Sequence, residues 1–180
     1  MAWSQKTDQL QKILPTVVAD ARSGIEAISK DPEGRTNPSD SIYRLVFKLT
    51  IRPVGAKEVA DDPRLRRKFE RYFTMLDESA GPLSAMFPRF PWPSMIKRFH
   101  AGARMYMVLD QIVEKRQRLG EIMDDPLQNL LDRNGSMTEI VYFVTGALST
   151  GQLNTGVYAA YVLCYLAASP EWLQNIRTEV

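Results

Sequence analysis

The chain has little of what most chemistry is built from. Its 180 residues contain one cysteine and one histidine, so an intramolecular disulfide is excluded, and Cys164 with His100 cannot assemble a zinc site of the usual Cys/His kind. Lys plus Arg number 23 and Asp plus Glu 21, a formal net charge of +2. These charges are interleaved, so there is no basic field of the kind nucleic acid demands, and no nucleic-acid partner is expected. GxGxxG, P-loop, HExxH and GxSxG patterns do not occur, and no two carboxylates stand out as an acid/base pair. The opening MAWSQKTDQLQK lacks a basic stretch followed by an apolar one, so no signal peptide is read. Strand-like alternation and repeats are missing as well, which leaves an all-α fold class.

What is present is a long segment without charge. From Ile140 to Pro170 the chain reads IVYFVTGALSTGQLNTGVYAAYVLCYLAASP, with no Asp, Glu, Lys, Arg or His. Such length raises the question of a membrane span. Gln152 and Asn154 near its centre argue against one, because an unpaired amide in hydrocarbon costs roughly 4 to 8 kcal/mol. Both amides call for protein or ligand partners. At about 100° per residue, Ala147, Gly151, Asn154 and Tyr158 share one arc of roughly 60°, flanked by Thr150 and Thr155. Small residues there admit either a close-packed neighbouring helix or a flat ligand with polar groups beside it.

The rest divides into helices by its punctuation. Thr7 or Asp8 caps a first helix, which Pro15 should kink. The turn-rich KDPEGRTNPSD follows, and its last residue, Asp40, caps a second helix that Pro53 and Gly55 disturb or end. Asp62 with Pro63 opens a third. GPLSAMFPRFPWP carries Pro82, Pro88, Pro91 and Pro93 yet also Met86, Phe87, Phe90 and Trp92, an unusual aromatic load for a loop. Ser94 caps a fourth helix reaching Leu119 and Gly120, and Asp125 with Pro126 opens a short fifth. Ser136 and Glu139 spell a capping box before the uncharged run. Ser169, Pro170 and Glu171 then open a sixth helix with no stop signal before Val180. His100, among Lys97, Arg98 and Arg104, reads as a surface residue, and Cys164 as a buried inert thiol.

The order and wording of these elements resemble the middle of a cytochrome P450. SMTEIVYFVTGALSTGQLNTGVYAAYVLCYLAASPEWLQNIRTEV is similar to that family's I helix and J helix, joined at YLAASPEW. DSIYRLVFKLTIRPVGAKEVADDPRL resembles the E helix and its exit. RKFERYFTMLDESAGPLSAMFPRFPWP resembles the F helix and F–G loop, and MIKRFHAGARMYMVLDQIVEKRQR the G helix. The likeness runs from about Asp8 to Val180 and is nearest to fungal members. It implies a partial cytochrome P450 fold around a central I helix, residues 1–180 forming one incomplete domain.

The resemblance also implies roles. Thr150 and Gly151 stand at the A-G pair of the family's A-G-x-D-T-T motif and would face a haem. Asn154 and Thr155 would stand on the oxygen side, with Leu153 and Asn154 where the family has its acid and its threonine. Gly146, Ala147, Ser149 and Phe87 would meet an apolar small-molecule substrate. Electrons would come from a redox partner, and the loop at 81–93 would touch a membrane surface, in a cytoplasmic or endoplasmic-reticulum-associated protein. The family's F-x-x-G-x-x-x-C, E-x-x-R and W-x-x-x-R patterns do not occur in these residues, so no metal ligand is expected here and the truncated chain is expected to be inactive. The alternative expectation is a non-catalytic helical protein that binds a partner or membrane through its apolar loop and long helix.

Overall fold

The computed structural model describes residues 7–30, 37–79 and 93–179. Phe87 and most of the 81–93 loop lie outside the described residues, as do the side chains of Thr7 and Asp8. Among the described residues every element is helical: α1 (Thr7–Ser29), α2 (Pro38–Val54), α3 (Lys57–Asp61), α4 (Pro63–Glu78), α5 (Pro93–Leu119), α6 (Pro126–Asp132), α7 (Met137–Gly151), a π-helical turn (Gln152–Val157), α8 (Tyr158–Ala168) and α9 (Pro170–Glu179). The all-α expectation holds, and α1 runs on through Pro15.

Three helix starts follow from their punctuation. Asp62 accepts from the backbone N–H of Arg64 at 2.7 Å and of Leu65 at 3.3 Å, with Pro63 at the first helical position. Asp125 accepts from Gln128 N–H at 2.8 Å, again with proline next. At α7 the capping box closes both ways: Glu139 N–H donates to Ser136 Oγ at 3.3 Å and Ser136 N–H to Glu139 Oε2 at 2.8 Å. These bonds hold the Glu139 carboxyl below its usual range, the Ser136 backbone bond contributing most. The second helix departs from expectation. It starts one turn earlier, capped by Asn37, whose Oδ1 accepts from Ser39 N–H at 3.1 Å, while Asp40 lies in its first turn. Gly120, at φ +66°, ends α5 in the left-handed region open to glycine.

The core forms where α2, α4, α5 and α7 meet. Phe47, Phe69, Phe73, Met105, Leu109, Ile140, Val144 and Leu148 are fully buried there, and the rings of Phe47 and Phe73 lie 5.7 Å apart in a tilted arrangement. One core-edge site is ionic. Arg116, 2% exposed, donates from Nε to Glu58 Oε1 at 2.7 Å and from Nη1 to Asp125 Oδ1 at 2.9 Å, while its Nη2 bonds both carboxylates. Asp125 also accepts from Lys57 N–H at 3.0 Å. One guanidinium thus ties the end of α5 to the starts of α3 and α6, and two carboxylates offset the cost of burying it.

Candidate functional site: a groove beside a π-turn

An open groove of about 1000 Å³ runs between α5 and α7, with Leu76 and Ser79 from the end of α4 closing one side. α5 contributes residues recurring every three or four positions, Met95, Phe99, Gly102, Tyr106 and Asp110 among them. α7 contributes Val141, Tyr142, Thr145, Gly146 and Ser149. Its size is that of small-molecule sites, and its wall is largely apolar.

Three glycines on or beside α7 separate packing from space. A Cβ on Gly151 would lie 2.8 Å from Thr50 Cγ2 of α2, and one on Gly156 would lie 2.8 Å from Gln152 Oε1. Gly151 is needed for the long helix to approach α2, and Gly156 leaves room for the Gln152 amide. A Cβ on Gly146 would meet nothing within 4 Å. Glycine inside a helix costs about 1 kcal/mol relative to alanine, and at Gly146 no contact among the described residues accounts for that cost. What the missing side chain leaves is room in the groove.

Past Ser149 the helix changes pitch. Thr150 Oγ1 donates to the Gly146 carbonyl at 2.9 Å, a back-bond of the sort that bends helices, and residues 152–157 form the π-turn. Ile140, Val144, Leu148, Gln152, Gly156 and Ala160 are all buried. In an unbroken α-helix, steps of four would carry this stripe around by about 40° each time. The wider turn resets it, so both parts of the helix face α2. Gln152, 1% exposed, donates from Nε2 to the Tyr43 carbonyl at 3.1 Å. Its Oε1 is buried with no hydrogen-bond partner among the described residues.

Gly146 and Ser149 are in the groove wall, and Ala147 is half-buried and does not line it. Thr150, Asn154 and Thr155 are exposed, and Gly151 is half-buried with its Cβ position against α2. The arc from Ala147 to Tyr158 therefore does not continue as one face, because the π-turn intervenes. His100 is exposed on α5. Cys164 is exposed on α8, which corrects its reading as a buried thiol. Among the described residues no helix is long and apolar enough to cross a membrane, and no group of three His, Cys, Asp or Glu could hold a metal ion.

Sequence reasoning missed two features. A second groove of about 770 Å³ between α2, α4 and α5 is lined by Asp40, Arg44, Arg67, Glu70, Arg71 and Lys97. Beside it burial, and then the Asp77 carboxylate, push the Tyr43 phenol up to about 12. The other is a half-buried ion network. Asp20 on α1 accepts from Arg52 Nε at 2.8 Å and pairs with Lys48 Nζ at 3.1 Å. Burial opposes the Asp20 charge, but the two cations outweigh it and hold its carboxyl below the usual range.

The long helix, re-pitched at its π-turn, thus forms one wall of an apolar groove of small-molecule size. No family model matches the chain. It is similar to cytochrome P450 monooxygenase AacuE of Aspergillus aculeatus, 31% identical over 179 residues that cover 98% of this chain and 36% of the relative. It is also similar to cytochrome P450 monooxygenase dmxR5 of Cryptosporiopsis sp., 29% identical over 180 residues, covering 98% of this chain and 35% of the relative. Sterol 14-alpha demethylase of Aspergillus flavus matches at 28% identity, covering 83% of this chain and 32% of the relative. Over nearly its whole length the chain matches cytochrome P450 sequences, and it spans about a third of the length of the curated relatives it matches. Haem is the group that this family implies.

For such a group the described residues offer exposed apolar and hydrogen-bonding side chains at the π-turn, Leu153, Asn154, Thr155 and Val157. They offer no cluster that could hold its iron.

Proposed function

We propose that this chain is the central helical wall of a haem-thiolate monooxygenase that oxidises an apolar organic substrate with dioxygen and reductase-supplied electrons. Gly146 carries the reading: a helix-interior glycine whose smallness serves no packing contact and opens a substrate-sized groove. Residues 1–180 are then one incomplete domain, and the thiolate comes from sequence outside them. Bound haem supplies dioxygen activation; the wall supplies shape and hydrogen bonds.

In this reading Gly146 and Ser149 meet the substrate directly, and Ala147 backs them. Thr150 and Gly151 face the haem, Gly151 through its backbone, since its Cβ position points to α2. The Thr150 hydroxyl hydrogen is engaged by the Gly146 carbonyl, which leaves its oxygen lone pairs to accept. Leu153 has no proton to give. Asn154 therefore takes the polar role on the oxygen side, its amide both donating and accepting, and Thr155 adds a hydroxyl that does the same. Together they hold a water in place for proton delivery.

The test is the natural gene product that carries these residues, purified from its own cells and reduced under carbon monoxide. A difference band at the position given by an intact cytochrome P450 supports the proposal. A product with no bound haem that instead holds a protein partner through α8 and α9 replaces it with the non-catalytic reading.

A further inference from the structure

π-turns are rare beside α-helix, so something must hold residues 152–157 in the wider form. Little beyond the turn does so. On α8 only Ala160 is buried. Each position after a π-turn is held by the residue one later than in an α-helix, so in a plain α-helical run Ala159 would come to the place Ala160 now has. The two side chains are identical. Contact between α8 and α2 therefore does not choose between the two registers, and the lock lies in the turn itself.

Gln152 has the geometry of that lock. It is 1% exposed, and its Nε2 donates to the Tyr43 carbonyl at 3.1 Å, which ties the amide to α2. A Cβ on Gly156 would lie 2.8 Å from Gln152 Oε1 and 3.8 Å from Val46. In the α register Thr155 would come to the place of Gly156 and bring a branched, stiff side chain into that space. A free glutamine would swing aside at small cost. This one would have to give up its bond to Tyr43 and leave both ends of a buried amide unpaired, because Oε1 already has no partner among the described residues. A pinned amide at 152 and a glycine at 156 thus favour the wider turn.

We infer that Gln152 is a positioning residue: its amide fills the space that Thr155 would need in a plain α-helix, fixing the π register and with it the direction in which Asn154 and Thr155 point. The consequence for those two residues rests on their oxygen-side reading; the lock does not.

The experiment uses the full chain with Cys164→Ser and one new thiol, from Ala159→Cys or from Ala160→Cys, and compares their rates with an aromatic disulfide reagent. Position 160 is buried and position 159 half-buried, so the thiol at 160 is expected to react severalfold more slowly. Gln152→Ala should reverse that order, because Thr155 then has room and position 159 turns to α2. General loosening of the fold would speed both thiols together, so a reversal reports register alone. Thr155→Gly tests the lock from the other side: a glycine passes under the intact amide, and the two rates should converge. It serves alone should Gln152→Ala lose helicity by circular dichroism. An order that persists unchanged in Gln152→Ala, or in Thr155→Gly where that variant stands alone, overturns the lock. So does a faster thiol at 160 when Gln152 and Thr155 are both in place. None of these rates depends on haem or on a ligand in the groove, so failure of the lock is distinct from failure of the haem reading, which the carbon monoxide band reports.

Discussion

α7 and α8 belong to one uncharged run and differ little in composition, yet their surroundings are opposite. Ile140, Val144 and Leu148 of α7 are 0% exposed, held between α2 and α5, whereas Tyr161 and Tyr165 of α8 are 71% and 61% exposed and only Ala160 of that helix is buried. Trp172 and Ile176 of α9 extend the exposed apolar surface. An apolar sequence thus specifies that a face needs a partner, and where the partner sits is decided by which other elements reach it. α7 has its partners here. α8 and α9 present a surface of the kind that marks an interface.

The largest effect expected lies on the packed side. Replacing Arg116 with Met leaves Glu58 and Asp125 without their counterion and should cost about 3 to 5 kcal/mol in chemical denaturation. A loss below about 1 kcal/mol would show that this end of the core is held by packing alone. Next comes the contrast itself. Leu148→Ala should cost about 3 kcal/mol, and Leu163→Ala on exposed α8 under about 0.5 kcal/mol. Equal costs would mean that α8 is packed in solution against something, for instance a second copy, which sedimentation would reveal.

The glycines sharpen the comparison within one helix. Gly151→Ala drives a methyl into Thr50, whose branched side chain is stiff, and should destabilise by about 1 to 3 kcal/mol. Gly146→Ala meets nothing and should stabilise by about 0.5 to 1 kcal/mol while weakening ligand binding in the groove. A destabilised Gly146→Ala would remove the argument that this glycine exists for the groove.

The smallest effect concerns pH. Asp20 is held below the ordinary carboxylate range when folded, so its contribution is present above about pH 3.9 and is lost as pH falls through the lower folded value. Asp20→Asn should flatten the acid limb of stability in that window by about 1 kcal/mol or less. An unchanged acid limb would place the pH response in other carboxylates.

Much of the helical order was legible because cap and proline stand together: Asp62 with Pro63 and Asp125 with Pro126. Asn37 with Pro38 carries the same signal, and Asp40 drew attention from it only by standing nearer the apolar residues. Other features were not legible for physical reasons. Arg116 sits in EKRQR, which reads as a solvated face, and its burial depends on carboxylates that arrive from α3 and from the start of α6. The π-turn leaves no mark in hydrophobic spacing, since it comes from the fit of Gln152, Gly151 and Gly156 against α2. Of the site, Gly146 and Ser149 came from the family resemblance, and the wall opposite them on α5 could not be paired with α7 without the fold.

The π-turn also acts as an angular offset between two halves of one rod. Closing residues 152–157 as plain α-helix with none removed would turn everything downstream by about 100°. Ala160 would leave α2, and the tyrosines of α8 would swing toward the core. The phase of this helix, more than its composition, decides which apolar side stays available for assembly.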